Sequence, residues 1–270
     1  MPDGAPLDSL PPMLCESCGY DISETPPERT CPECGVAVSL SRPERRDLLE
    51  RATTRWQLIA AMLSTPRAAM RAAPIGDPRV SAFGNAMRNA ATALVCVAMV
   101  VPAFFHAPVQ AEPPAAFALR IAITAVWLLV AIIGLYLALT VLTAIESIGI
   151  RFFGRQRGWR ISPDVAWTVC HLASVGWLVG AGVVSFGALL MHVGMWNISI
   201  GLLEVLFLSP YEMGVVLIFL GAVTGLMYFE LLVYLGVRQC RFANPARVRR
   251  YDASGGLLES AGVQRADREP

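Results

Sequence analysis

IAITAVWLLVAIIGLYLALTVLTAI, residues 121–145, runs without a charged side chain. About 20 helical residues cross roughly 30 Å of hydrocarbon, and this stretch is long enough to do so. It shows no period-2 alternation, so it reads as a lipid-spanning helix and not as a barrel strand. Three further stretches share its character: about Asn89 to Ala107, Val165 to about Met191, and Met213 to Leu235. The chain of 270 residues is 55% hydrophobic and 16% charged, where soluble domains carry about a quarter charged residues. Charges crowd residues 1–88 and 238–270. The expected fold class is therefore an all-α integral membrane protein, a four-helix transmembrane bundle with soluble ends.

Arginine placement sets the expected orientation. All 22 basic residues are arginine. Apart from Arg29 and Arg120, they lie before span one (Arg42 to Arg88), between spans two and three (Arg151, Arg155, Arg157, Arg160) and after span four (Arg238 onward). The links 108–119 and 192–212 contain none, and Arg120 at the edge of span two is the exception. Basic residues are retained on the cytoplasmic side, so both termini are expected there. Residues 1–12, MPDGAPLDSLPP, lack the apolar core of a secretory signal and read as a disordered N-terminus. Residues 241–270 read as a disordered cytoplasmic tail. Gly194–Leu208 is apolar but short and carries Glu204; it reads as a surface or re-entrant helix, with a fifth span as the alternative.

The strongest chemical motif is Cys15-Glu-Ser-Cys18-Gly, answered by Cys31-Pro-Glu-Cys34-Gly, within residues 13–36. Each pair can form a tight knuckle that aims two thiolates at one ion. Gly19 and Gly35 follow the pairs, where the chain needs a conformation other residues resist. Four soft sulfur donors closing a tetrahedron indicate structural Zn2+, with no open position for catalysis. A disulfide or redox pair is the alternative, and a cytoplasmic setting argues against it. So short a segment buries little core, so the metal is expected to supply most of its folding energy. Cys96, Cys170 and Cys240 lie in or beside spans and read as packing residues, with acylation of Cys240 as the alternative.

Residues 41–88 read as an amphipathic basic connector. Ser41-Arg-Pro-Glu44 has the form of a capping box. The helix after it would place Leu48, Ala52, Trp56, Ile59 and Leu63 on one face, with arginines on the other. That suits an anionic leaflet, or else packing on soluble parts of the chain. Within the spans, Glu146, His171 and Glu230 share a similar expected depth on three different helices. They read either as a polar network pinning helices together or as a proton- or ion-responsive cluster. Gly176/Gly180 and Gly221/Gly225 form two GxxxG motifs, which let helix backbones approach within one chain or between two copies in a homo-oligomer.

An amphipathic stretch that begins at a tryptophan and ends in a proline (Trp56 to Pro66), the turn GIRFFGRQRGWRISPDVAWTVCHLASVGW (149–177) and the compact set of spans resemble the Yip family, the Ypt/Rab-interacting membrane proteins. Bacterial membrane proteins with a CxxCGYD…CPECG ribbon look similar again. Family members usually have five spans, against four here. The resemblance implies membrane organisation or trafficking without catalysis, and offers no catalytic residues to carry over. The ribbon holds one arginine, Arg29, against Glu16, Asp21, Glu24, Glu28 and Glu33, the wrong balance for nucleic acid. HExxH, GxSxG and Walker sequences are all missing, so no enzyme is expected. The expectation is a membrane-anchored adaptor: the bundle sits in the lipid bilayer and the ribbon recruits a cytoplasmic protein partner. A small proton- or ion-coupled transporter using Glu146, His171 and Glu230 is the alternative.

Overall fold

The computed structural model describes residues 11–105, 113–195, 209–245, 250–251 and 257–258. It is mostly helical. Three short helices, α1 (Leu48–Arg51), α2 (Arg55–Ser64) and α3 (Pro66–Ala72), precede the long ones: α4 (Pro78–Phe105), α5 (Pro114–Gln156), α6 (Pro163–Ala173), α7 (Val175–Met195) and α8 (Pro210–Cys240). Arg250–Tyr251 (β1) and Leu257–Leu258 (β2) pair in a two-residue antiparallel ladder. Four helices are long and apolar enough to span a membrane: Pro78–Val100, Ala115–Gln156, Pro163–Gly194 and Pro210–Cys240. The helices extend past the apolar runs read from sequence; α5, at 43 residues, is about 65 Å long. Of the segment 194–208, residues 196–208 lie outside the described residues, as do His106 and Glu204.

The helix starts follow local chemistry, though not always at the expected residues. Pro163 opens α6 with Ser162 as its cap, whose Oγ accepts the Val165 N–H at 3.2 Å. Ser41 is not the helix N-cap that was expected. Ser41 ends a 3-10 turn, Val38–Ser41, and its Oγ accepts the Glu16 N–H at 3.0 Å. The boxes that do form are Thr54/Gln57 at α2 and Ser209/Glu212 at the start of α8.

The restart at Thr54 has a second consequence. It breaks the expected amphipathic helix and rotates its register, so α2 buries Leu58, Ile59 and Met62. Trp56 is left 77% exposed and Leu63 46%. Of the five residues expected on one face, Leu48 and Ile59 are buried while Trp56 and Leu63 are exposed.

The chain divides into two compact units. The first contains Met1–Ala82, Glu146–Leu172 and Val233–Pro270; the second contains Phe83–Ile145 and Ala173–Leu232. In the second unit, α7 and α8 meet along a line of missing side chains. A Cβ on Gly180 would sit 2.5 Å from Gly225 Cα, and one on Gly176 would sit 2.6 Å from Phe229 N. Gly221 faces the Val184 backbone, and Gly187 faces Gly214. Both GxxxG motifs thus face each other within a single chain, which lets the two backbones touch. Trp177 stacks on Phe229 at 4.5 Å between ring centroids beside this seam.

Candidate metal centre and its clasp

The first unit opens with two knuckles built alike. Gly19 N–H donates to Cys15 O at 2.8 Å and Cys15 N–H to Tyr20 O at 2.8 Å; Gly35 N–H donates to Cys31 O at 2.9 Å and Cys31 N–H to Val36 O at 2.7 Å. Gly19 and Gly35 have φ of +83° and +72°, the left-handed region in which only glycine is unstrained. Ile22 N–H to Met13 O and Val38 N–H to Arg29 O close the two hairpins. Met13, Cys15, Ile22, Cys31 and Val38 form the small buried core between them.

The four expected ligand residues come together. The sulfurs of Cys15, Cys18, Cys31 and Cys34 all lie within 4.8 Å of one another, and these cysteines could hold a metal ion. Two of the pairs, Cys15–Cys34 and Cys18–Cys31, are each 3.6 Å apart, far beyond a disulfide bond of about 2.05 Å. The thiols are not equivalent before metal binds. Desolvation pushes Cys18 up to about 12, reinforced by its three thiol neighbours. The Val36 backbone N–H draws Cys34 down to about 7. A metal must therefore displace protons, most of all from Cys18, and its uptake weakens as pH falls.

What the sequence did not show is how this ribbon is held. Glu16, between the first two cysteines, turns inward. Its Oε1 accepts Arg46 Nη2 at 2.8 Å and Nε at 3.1 Å, and its Oε2 accepts Arg45 Nη2 at 3.1 Å. Arg46 is buried, its side chain only 1% exposed; its Nη1 also donates to Ala73 O at 3.1 Å and lies 3.9 Å from Cys240 Sγ. Burial opposes the Arg46 charge, but the Cys240 and Glu16 side chains outweigh it and raise its pKa.

Asn244, past the end of α8, completes the clasp. Its Oδ1 accepts the Leu14 N–H at 2.8 Å, and its Nδ2 donates to Leu14 O at 2.7 Å and Ser41 O at 2.8 Å. Arg241 Nη2 donates to Ser17 O at 3.2 Å, and the Phe242 ring lies against Gly19, where a Cβ would come within 2.7 Å. Residues 241–245, the start of the stretch expected as a tail, thus pack against the ribbon. The cause is a set of polar partners some 230 residues away in sequence. Cys240 is fully buried and donates to Met70 O at 3.3 Å, which leaves it no access for acylation.

The expected intramembrane cluster is divided between the units. Glu146 and His171 belong to the first and Glu230 to the second. His171 is 9% exposed and stacks on Trp167 at 5.4 Å. Arg88, expected in the soluble connector, is buried within α4 and donates to Ser174 Oγ at 3.4 Å and to Asn85 Oδ1. His192, expected to be solvated, is buried with Nδ1 2.6 Å from Ala188 O.

The Yip-like pattern rests on the sequence stretches that carry it. No family model matches the chain, and no curated protein or solved structure is similar to it.

Proposed function

We propose that this chain is a non-catalytic multi-pass membrane protein, Yip-like in pattern, whose zinc ribbon is a fixed acidic docking face for a cytoplasmic protein partner. The observation that carries this reading is the clasp on the ribbon. Glu16 alone among its acidic residues is turned inward to Arg46 and Arg45. Asp21, Glu24, Glu28 and Glu33 are all exposed. A ribbon held by Asn244 and Arg46 presents those four carboxylates with little orientational freedom, which lowers the ordering cost of binding a basic surface.

Zinc fits the four sulfurs. A Zn–S bond of about 2.3 Å in a tetrahedron places sulfurs about 3.8 Å apart, close to the 3.6 Å of the Cys15–Cys34 and Cys18–Cys31 pairs. Cys15, Cys18, Cys31 and Cys34 would hold it, and the ion would supply folding energy to a segment with a five-residue core. The arginine asymmetry supports a four-helix bundle with both termini in the cytoplasm. On that topology the outward Trp56, Leu63, Arg55 and Arg67 would face the headgroups of the anionic leaflet.

The test is partner capture by cross-linking from cytoplasm, comparing wild type with a Glu24→Arg, Glu28→Arg, Glu33→Arg variant of unchanged metal content. Capture should be lost. Undiminished capture would remove the acidic face as the docking surface. The transporter alternative keeps its own test: reconstituted protein without pH-dependent flux, or flux unchanged in Glu230→Gln, removes it.

A further inference from the structure

The last turns of α5 have two unlike faces. Ser147, Ile150 and Gly154 follow one another at helical spacing and are buried. A Cβ on Gly154 would meet Ile161 Cδ1 at 2.6 Å, so this face is fixed against the turn that leads to α6. The other face is apolar and uncovered: Ile148 is 65% exposed, Phe152 57% and Phe153 61%. The two phenylalanine rings meet edge to face, with centroids 5.3 Å apart.

Arginines flank that patch in sequence. Residues 147–163 hold Arg151, Arg155, Arg157 and Arg160 and no acidic residue. Arg45, Arg46, Arg51 and Arg79 each have a carboxylate partner, whereas no ion pair or side-chain hydrogen bond holds these four among the described residues. The turn itself is well defined. Gly158 has φ +71°, its N–H donates to Arg155 O at 3.1 Å, and Trp159 N–H donates to Gly154 O at 2.9 Å. That glycine cap ties off the last carbonyls of α5. A helix C-terminus carries only about half a negative charge, which four guanidiniums outweigh.

The length of α5 sets the level at which this patch sits. The uncharged run 121–145 is about 37 Å long, and a tilt of about 37° fits it to roughly 30 Å of hydrocarbon. Phe152 then lies about 8 Å beyond the hydrocarbon edge. Helical side chains lean back toward the N-terminus of their helix, which here is toward the acyl chains. Exposed phenylalanines and unpaired arginines therefore meet at the depth of the headgroups.

We propose that the end of α5 docks an anionic phospholipid, with Arg151, Arg155 and Arg157 on its phosphodiester and Phe152 and Phe153 in its chain region. The proposal rests on the reading of the four helices as membrane spans. It concerns a different segment from Trp56 and Arg67. A net negative headgroup is selected, because a zwitterionic one sets a cation beside its phosphate that these arginines repel. A soluble phosphate would engage the arginines but leave the phenylalanines uncovered, so the lipid is the occupant that uses both.

The experiment reconstitutes purified full-length protein in phosphatidylcholine vesicles with a trace of spin-labelled lipid. Electron spin resonance reads the fraction immobilised at the protein. Labelled phosphatidylglycerol should be selected over labelled phosphatidylcholine, and raised salt should weaken the selection. Arg151→Gln with Arg155→Gln and Arg157→Gln should remove most of it, each arginine being worth about fivefold at the site. If that variant does not reconstitute, Arg155→Gln alone should show the fivefold effect. Phe152→Ala with Phe153→Ala keeps every charge and should still weaken the selection severalfold, which a diffuse positive potential would not do. No preference for phosphatidylglycerol, a preference unchanged in these variants, or equal competition by soluble glycerol phosphate would overturn the proposal. Release of the wild-type protein from membranes by alkaline carbonate would instead sink the membrane reading, and so separates the two failures.

Discussion

The ribbon and the membrane helices solve the same problem, bringing two backbones together, by opposite means. At the ribbon, contact is made by polar groups: Asn244 bonds to the Leu14 backbone in both directions and to Ser41 O, while a buried arginine holds Glu16. Between α7 and α8, contact is made by absent groups, with Gly180 facing Gly225 and Gly187 facing Gly214. The reason lies in the solvent each region displaces. In water, burying a polar pair gains only if every partner is satisfied, so the clasp is fully bonded and directional. In lipid there is no hydrophobic force between helices, so close van der Waals approach must serve, and only glycine permits it.

This contrast can be broken or sharpened by mutation. The largest effect is expected at the metal centre. Cys15→Ser with Cys18→Ser removes two of the four sulfurs that could hold a metal ion, and should bring bound-metal content to zero and leave residues 13–41 open to proteolysis. Membrane insertion should survive. Loss of insertion would mean the ribbon is needed for the spans themselves.

Next comes the buried charge. Arg46→Met leaves the partly buried Glu16 with only Arg45 as a cation and should cost up to about 3–5 kcal/mol, read as a fall in melting temperature in detergent. Arg45→Ala removes the other cation from the same carboxylate. That arginine is 36% exposed, so its loss should cost no more than about 1 kcal/mol. Equal losses in the two variants would contradict the assignment of Arg46 as the buried partner.

The glycine seam offers a matched pair. Gly180→Ala drives a methyl group against Gly225 Cα and should cost about 1–3 kcal/mol. Gly182, one turn-face away on α7, has nothing within 4 Å of an added Cβ, and Gly182→Ala should shift stability by less than about 0.5 kcal/mol. Similar melting temperatures for the two would remove the seam.

The smallest effect concerns pH. Burial would raise the pKa of Asp77, but the Arg79 guanidinium and backbone N–H lower it on balance. A carboxyl depressed in the folded state stabilises above its unfolded value of about 3.9, and that contribution is lost as pH falls through the folded value. Asp77→Asn should therefore flatten the acid limb of the stability profile slightly, by an amount limited by the exposure of Arg79.

These contrasts also mark what could be read beforehand. The spans and the four cysteines were legible because their signals are local: an apolar run of fixed length, and a spacing that only a knuckle requires. The GxxxG motifs were legible as packing faces, but not that they would meet each other. Arg46 looked like one of many connector arginines and Asn244 like part of a tail. Nothing local distinguishes them, because their partners lie at Glu16 and Leu14, far away in sequence. Ser41 misled for the opposite reason. Its S-x-x-E pattern is a sound local signal, yet the Ser41 hydroxyl accepts from a long-range donor, the Glu16 N–H, and does not start a helix. Arg88, expected in the connector, lies inside α4 instead, where Asn85 one turn back and Ser174 between α6 and α7 accept from it.

The central claim is that the metal-held ribbon and the segment after α8 form one clasped element. Hydrogen exchange with and without a chelator tests it most directly. On removing the metal, amides in residues 13–41 and in 241–245 should lose protection together, because Asn244 loses its Leu14 and Ser41 partners when the knuckles open. Rapid exchange of the ribbon with residues 241–245 unchanged would contradict the account.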